Sequence, residues 1–99
     1  MKSVYLSAPI TGIDDIDEII QIRDRMLVGV IHELNEYVKP VDDFVFREGS
    51  TIFENIASRL NAMSRADYIL YAEGWETDRM CRIERLCAEE CEIAIKDIR

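Results

Sequence analysis

The chain has 99 residues, a formal net charge of −8 and three cysteines, and these values exclude several classes of protein. A chain of this length forms one domain, which buries about two-thirds of the surface of the unfolded chain. The 12 basic residues are scattered among 20 acidic ones, whereas binding to a nucleic-acid polymer requires clustered Lys and Arg. A small ligand is therefore the expected partner.

The cysteines indicate a reducing compartment. Cys81, Cys87 and Cys91 lie on one predicted helix, and their spacing matches neither metal-binding CxxC pairs nor the framework of a small secreted domain. We expect reduced thiols that fill the core. The apolar run at the start of the chain is too short for a signal peptide, and no stretch approaches the ~20 residues of a membrane span. The sequence predicts a cytoplasmic protein with no membrane partner, metal or other cofactor.

Strands and helices are predicted to alternate along the chain. Residues Lys2 to Ala8 are predicted to form a buried strand, because Val4, Tyr5 and Leu6 favour a strand, show no helical periodicity and are followed by Pro9 and Gly12. Residues Ile16 to Glu36 form a long amphipathic helix, and Tyr37 to Lys39 form a short strand ended by Pro40. The apolar face of the long helix consists of Ile16, Ile19, Ile20, Met26, Leu27, Val30, Ile31 and Leu34.

A loop and a second helix follow. In the loop from Val41 to Ser50, Phe44 and Phe46 either stack on a ligand or, as the commoner case, fill the core beneath it. Ser50 or Thr51 caps the second helix, which extends to about residue 64. Its expected buried stripe consists of Ile52, Phe53, Ile56, Ala57, Leu60 and Met63.

The last elements complete an α/β domain. Asp67 to Ala72 form a third strand and Arg79 to Glu90 a third helix, and residues 91–98 alternate as a half-buried edge strand does, with a continued helix as the alternative. Strands that alternate with helices indicate a parallel sheet with right-handed crossovers. We expect one three-layer, Rossmann-like or flavodoxin-like domain over residues 1–99, with about four parallel strands and helices on both faces.

Glu84 is the residue that a purely structural third helix does not explain. The residues three or four positions away from it are Met80, Cys81, Cys87 and Ala88. Its carboxylate therefore shares an apolar, inward-facing side of the helix. A carboxylate held there is partly desolvated, which is tolerated mainly when it is hydrogen-bonded or when chemistry requires it. Lining a site and serving in the core are about equally well supported by this pattern.

Three loops converge at one edge of the predicted sheet. They comprise Ser7 to Asp15, Val41 to Ser50, and Glu73 to Asp78. Ligands of parallel sheets bind beyond the carboxyl ends of the strands, and Glu84 opens toward the same edge. Asp78 is placed to cap the third helix. The chain has no GxGxxG or Walker-type loop, so dinucleotide binding and NTP hydrolysis lack their usual phosphate cradle.

Two segments carry a family resemblance. YLSAPITG at Tyr5 to Gly12 and ADYILYAEGWETDRMCRIE at Ala66 to Glu84 resemble the nucleoside 2-deoxyribosyltransferase-like superfamily, most closely its short members with a GWE-x-S-R-G-A-x-x-E motif. The resemblance implies N-glycosidic bond cleavage or deoxyribosyl transfer on a nucleoside or nucleoside monophosphate. It implies Glu84 as the nucleophile, Asp78 as the group that assists at the departing base, and Tyr5 as the hydrogen-bond donor to Glu84. It also implies a homo-oligomer.

The loops around these segments are expected to supply the substrate contacts. These contacts are predicted for Ser7, Pro9, Gly74, Trp75 and Arg79. Trp75 could stack on a base, cover the mouth of the pocket or join a subunit interface. Arg79 could bind a 5′-phosphate, although arginines paired with nearby acids are the commoner outcome.

Two positions depart from the family pattern. Met80 and Cys81 replace a small Gly-Ala pair, and Ser58 or Arg59 stands where the transferases carry another acid on the preceding helix. Two alternatives therefore stay open beside the enzyme. One is a non-catalytic module that binds a nucleotide, and the other is a structural oligomer subunit with a vestigial pocket.

Overall fold

The computed structural model describes residues 1–13, 15–35, 37–41 and 51–98. In chain order the elements are β1 (Lys2–Ser7), α1 (Ile16–Leu34), β2 (Val38–Pro40), α2 (Ile52–Met63), β3 (Tyr68–Ala72), a 3-10 helix (Trp75–Thr77), α3 (Arg79–Glu90) and β4 (Ile95–Ile98). The predictions made for Phe44, Phe46 and Ser50 lie outside the described residues.

The four strands form one parallel sheet in the order β2-β1-β3-β4, which confirms the predicted sheet. The strand order reverses at the central pair, where Ser7 of β1 lies beside Tyr71 of β3. The last segment is an edge strand rather than a continuation of α3. The helix ends at Glu90 with Cys91 as its C-cap, and Glu92 adopts a left-handed backbone with φ 57°, a reversal that returns the chain to the sheet.

Side chains alternate across the central strands and build a core on each face of the sheet. Val4 and Leu6 of β1 pack with buried residues of α1 such as Val30. Tyr5 of β1 lies on the opposite face, with buried residues of α2 and α3 that include Met63. The prediction of a three-layer domain with helices on both faces is therefore confirmed.

The apolar stripe predicted for α2 is only partly correct. Its last turn is buried, at Ala62 and Met63. Leu60 is half-buried and packs against the core, and Ile56 is half-buried, but Ile52, Phe53 and Ala57 are exposed. The pattern predicted the helix correctly but not its burial, because α2 inserts only its C-terminal turn into the core.

A similar correction applies to α1 and to several element ends. Ile16 and Ile20 are about half exposed, at 51% and 49%, because the buried stripe of α1 runs along Ile19, Met26 and Val30. The helix ends at Leu34, two residues before its predicted end, because the C-cap Asn35 is left-handed. Pro40 is the last residue of β2, a position that an edge strand tolerates.

The cysteines differ in burial. Cys81 is fully buried, Cys87 is half-buried and Cys91 is exposed, and all three are free thiols. Burial raises the pKa of Cys81 to about 12, so this thiol stays neutral. Core filling therefore describes Cys81 but not Cys91. None of the described helices has the length and apolar character that a membrane span requires.

Candidate active site

Glu84 is buried on the inner side of α3, with 1% of its surface exposed. Met80, Cys81 and Ala88 share that side of the helix and are buried as well. The prediction that the carboxylate faces inward is confirmed. A charged carboxylate is costly in an apolar layer, so the anionic form of Glu84 depends on the groups that contact it.

The two oxygens of Glu84 have different surroundings. Oε1 accepts a hydrogen bond from Arg59 Nη2 at 2.5 Å and a longer one from the Ser7 hydroxyl at 3.4 Å. Oε2 is buried and has no hydrogen-bond partner within the part of the chain that the structure describes. One oxygen is therefore fixed by α2 and β1, and the other keeps its acceptor capacity.

Arg59 also connects Glu84 to Tyr5. Its Nε donates a hydrogen bond to the Tyr5 hydroxyl oxygen at 3.1 Å. The Tyr5 hydroxyl in turn lies within interacting range of the Glu84 carboxylate and lowers its pKa. Three elements, β1, α2 and α3, thus place one buried cluster at the centre of the sheet.

Burial sets the electrostatics of this cluster. It raises the pKa of Glu84, while the Arg59 charge and the hydrogen bonds from Tyr5 and Ser7 oppose that rise. Burial and the nearby Glu84 charge raise the pKa of Tyr5, so the phenol keeps its proton and remains a donor. Burial lowers the pKa of Arg59, but Tyr5 and Glu84 raise it by more. The guanidinium therefore stays charged and compensates the carboxylate.

Asp78 caps α3 and also holds the loop after β1. Its Oδ2 accepts a hydrogen bond from the Cys81 N–H, and its Oδ1 accepts one from the Thr11 N–H, each at 3.0 Å. Burial alone would raise the pKa of Asp78, but these hydrogen bonds outweigh it and lower the pKa. Both oxygens of this anion are already used by backbone groups.

The other predicted substrate contacts are distributed around the edge of the sheet. Pro9 is half-buried in the loop after β1, and Arg79 is exposed at the first position of α3, with no ion-pair partner in the described ranges. Gly74 adopts φ 94° before the 3-10 helix, a conformation that favours glycine. Trp75 contacts the ring of Tyr71 and the guanidinium of Arg85. Of the predicted residues, the structure brings Tyr5 and Ser7 into the Glu84 cluster.

Cavities whose lining residues do not include Glu84 lie elsewhere in the described part of the molecule. One, of about 370 Å³, lies at the carboxyl ends of β3 and β4 and is lined by Tyr71, Ala72, Glu73, Trp75, Glu76, Arg85 and Asp97. The second, of about 300 Å³, is lined by Val30, Glu33, Leu34, Leu70, Lys96 and Asp97. Among the described residues no group of three or more His, Cys, Asp or Glu side chains is arranged to hold a metal ion.

Sequence reasoning missed Arg59 and Tyr71 as residues of these sites. The sequence pattern marks Arg59 only as a departure from the acid that the resembled family carries on this helix. A signal was present, since Arg59 directly precedes Leu60 of the apolar stripe of α2 and could reach inward. The apolar pattern predicts Tyr71 as a strand residue, and nothing in its neighbourhood along the chain indicates that it lines a cavity.

Comparison of this chain with protein-family models, with curated proteins and with solved structures found no match. The resemblance to nucleoside 2-deoxyribosyltransferases therefore stays a prediction that is based on the two quoted segments and on Glu84.

Proposed function

We propose that this protein cleaves the N-glycosidic bond of a deoxyribonucleoside or its 5′-monophosphate, or transfers the sugar, with Glu84 as the nucleophile. The observation that carries the proposal is the asymmetry of the Glu84 carboxylate. Oε1 is held by Arg59 and Ser7, whereas Oε2 has no partner among the described residues. A buried acceptor without a partner is costly, and a nucleophile needs an oxygen in that condition.

The chemistry proceeds in two displacements at the anomeric carbon. Oε2 of Glu84 attacks C1′ from the side opposite the base, so a C–O bond forms as the C1′–N bond breaks. The electron pair of the broken bond leaves with the base, which takes up a proton from solvent. Water or an acceptor base then attacks C1′, and the C1′–O bond breaks with its electron pair returning to Glu84. One proton is released to solvent in either case, from the attacking water or from the ring nitrogen of the acceptor base.

The groups around Glu84 support an anionic nucleophile. Arg59 provides a permanent positive charge at Oε1, and Tyr5 provides a protonated hydroxyl. Both oppose the rise in pKa that burial causes at Glu84. Because Glu84 is only 1% exposed, a sugar reaches Oε2 only if side chains above it move, and the proposal includes that movement on substrate binding.

Asp78 supports the proposed site mainly by holding two backbone segments in place. It ties the backbone of Thr11, in the loop after β1, to the first turn of α3. The base-assisting role that the resemblance implies would require one of these hydrogen bonds to be released, because each oxygen already accepts one.

A second candidate function is a module that binds a nucleotide without turnover, in a homo-oligomer or as a single chain. The ion pair between Arg59 and Glu84 favours it, because a carboxylate neutralised by a guanidinium is a weaker nucleophile. Under this proposal Arg59 and Glu84 connect α2 to α3, and Oε2 accepts a hydrogen bond from the ligand instead of attacking it.

Base release distinguishes the two functions. Purified protein is incubated with each deoxynucleoside and its 5′-monophosphate, and free base is quantified by chromatography. We expect release by wild type, a loss of about a thousandfold or more in Glu84→Gln, and unchanged release in Glu90→Gln, which alters an exposed glutamate of the same helix. A deoxyribosyl adduct on the peptide that contains Glu84 would support the covalent step.

Other outcomes decide against the enzyme. Equal base release by wild type and Glu84→Gln would exclude Glu84 as the nucleophile. Thermal stabilisation by a nucleotide without base release would establish the binding module, because a ligand that binds only the folded state raises its stability. If no nucleotide releases its base and none stabilises the protein, the remaining interpretation is a structural subunit.

A further inference from the structure

Tyr71 is a buried polar residue that the proposed mechanism does not use. It is 0% exposed, and its hydroxyl has no hydrogen-bond partner among the described residues. A buried hydroxyl without a partner is costly, and a tyrosine in a core usually has a partner for this group. The Tyr71 hydroxyl is therefore a donor that the surrounding packing leaves unused.

The sheet places Tyr71 next to the cluster around Glu84. Tyr71 of β3 is the register partner of Ser7 of β1, and such partners project their side chains to the same face of a sheet. Ser7 donates a hydrogen bond to Oε1 of Glu84 at 3.4 Å. Tyr71 also packs in the same core as Cys81 and Ala88 of α3. The phenol therefore lies on the face of the sheet that Glu84 covers, beside a serine that contacts Glu84.

The electrostatics of the phenol agree with this position. Burial raises the pKa of Tyr71, and the nearby Glu84 charge raises it further, whereas the Ser7 hydroxyl and the Arg85 charge lower it by less. The phenol therefore keeps its proton. It remains a hydrogen-bond donor close to an ionised carboxylate, which can only accept.

The Tyr71 ring is held in place by its neighbours. The Trp75 ring packs against it edge to face, with centroids 5.7 Å apart. The Arg85 guanidinium lies 4.9 Å from the centroid of the Tyr71 ring, and Arg85 is itself hydrogen-bonded to Asp97 and Glu89. A ring that is held in this way keeps its hydroxyl at one position, which is the property that a positioning residue requires.

Oε2 of Glu84 is an acceptor on the same face, and it is buried without a partner in the described part of the chain. The terminal torsion of a glutamate is broad, so a small turn of the carboxylate moves Oε2 at little cost. Hydrogen bonds of reactive groups are often long in a ligand-free site and shorten when the site is engaged. One hydrogen bond would satisfy both the Tyr71 hydroxyl and Oε2.

We propose that Tyr71 is a further positioning residue of this site, whose hydroxyl donates directly to Oε2 of Glu84. The hydrogen bond holds Oε2 and stabilises the anion, as Arg59 and Ser7 do at Oε1. A carboxylate oxygen has more than one acceptor position, so Oε2 can still attack C1′. Tyr5, the donor that the resemblance implies, differs because its hydroxyl already accepts a hydrogen bond from Arg59. The catalytic consequence rests on the proposed function, whereas the hydrogen bond does not.

The titration of Glu84 tests the hydrogen bond without any substrate. Protein with 13C-labelled glutamate side chains is followed by NMR as the pH is varied, and the Glu84 signal is assigned by its absence from Glu84→Gln. Tyr71→Phe removes a donor to the charged form, so we expect the pKa of Glu84 to rise by about one unit. Tyr68→Phe is the matched control. It makes the same change on the same strand, but Tyr68 packs in the core of the opposite face, and the pKa should not change.

Both variants keep the other groups that surround the Glu84 carboxylate. Arg59 comes from α2, Tyr5 and Ser7 come from β1, and Cys81 lies on α3 itself. A difference between the two variants therefore reports on the Tyr71 hydroxyl. An unchanged pKa of Glu84 in Tyr71→Phe would overturn the proposal, and so would an equal rise in Tyr68→Phe.

A crystal structure of the wild-type protein is the second test. We expect the Tyr71 hydroxyl oxygen within about 3 Å of Oε2 of Glu84. A Tyr71 hydroxyl that is hydrogen-bonded to Ser7 or to a water, with Oε2 out of reach, would overturn the direct hydrogen bond.

The catalytic consequence is measured separately, as base release by the folded variants. Tyr71→Phe should lower kcat by about tenfold or more with little change in KM, whereas Tyr68→Phe should keep the kcat of wild type. Circular dichroism confirms that each variant is folded. An unchanged kcat in Tyr71→Phe would overturn the catalytic role of Tyr71. Absence of base release by wild type would instead overturn the proposed function, and the NMR titration would still decide the hydrogen bond.

Discussion

Asp78 and Glu84 are two buried acids on one helix, and their surroundings are opposite. Asp78 is 7% exposed and Glu84 is 1% exposed. Each oxygen of Asp78 accepts a backbone N–H, and these hydrogen bonds lower its pKa despite burial. Glu84 has one oxygen with partners and one without in the described part of the chain, and burial raises its pKa.

The difference shows that burial alone does not identify a functional acid. Asp78 has a structural role, because each of its two oxygens accepts a hydrogen bond from a backbone N–H that it holds in place. Glu84 is incompletely satisfied, and its charge depends on one side chain from another helix, Arg59. Unused acceptor capacity, and not burial, is what separates the two. Each of the following predictions tests this difference.

The largest effect is expected when the charge that compensates Glu84 is removed. Arg59→Met leaves a buried carboxylate without its guanidinium, which typically costs about 3–5 kcal/mol of unfolding free energy. Arg59→Met/Glu84→Leu removes both charges and should be more stable than Arg59→Met alone, because buried pairs can often be replaced by apolar residues. Urea denaturation at pH 7 measures both.

The pair between Arg85 and Glu89 is the matched control. It is an i, i+4 pair in which the Glu89 side chain is 57% exposed, so Glu89→Gln should cost less than about 0.5 kcal/mol. An Arg59→Met effect as small as that of Glu89→Gln would show that Glu84 does not depend on its ion pair.

A smaller effect is expected when the Asp78 cap is removed. Asp78→Ala loses the cap of α3 and leaves the Thr11 N–H without its acceptor, at a cost of about 1–3 kcal/mol. Thr51→Ala removes an exposed capping box at α2, and should cost about 1 kcal/mol. Equal costs in thermal or urea unfolding would mean that the hydrogen bond to Thr11 contributes nothing beyond the cap.

The sequence alone predicted the order of the elements and their parallel arrangement. Residues 4–6 and 68–72 are apolar runs without helical periodicity, and such runs followed by Pro or Gly indicate buried strands. The inward position of Glu84 followed from the helical spacing of its neighbours. Both predictions depend on the spacing of residues that are close together along the chain, and this spacing does not depend on how the helices pack.

The partners of Glu84 could not be predicted in the same way. Arg59 and Glu84 are 25 residues apart, and their contact depends on how α2 is seated beside α3. The position of α2 also explains why the predicted burial of Phe53 is wrong, since this side chain is 79% exposed. Periodicity gives the face of a helix that is apolar but not the length of that face that reaches the core.

The smallest effect expected is a difference in how the two acids respond to pH. The folded pKa of Asp78 is lowered, so its contribution to stability is present above its unfolded pKa of about 4 and is lost as the pH falls through the folded value. The folded pKa of Glu84 is raised. Its contribution is therefore complete below about pH 4 and is lost as the pH rises through the folded value.

Two isosteric variants separate these contributions. The stability of wild type relative to Asp78→Asn should increase with pH in the acid range below about pH 4, because the native carboxylate binds its proton more weakly than the unfolded one. The stability of wild type relative to Glu84→Gln should decrease with pH above about 4, because the native carboxylate binds its proton more tightly. Urea unfolding at a series of pH values gives both slopes. Slopes of the same sign would mean that the Arg59 ion pair stabilises Glu84 as an anion as fully as the backbone stabilises Asp78, and the proposed asymmetry between them would be lost.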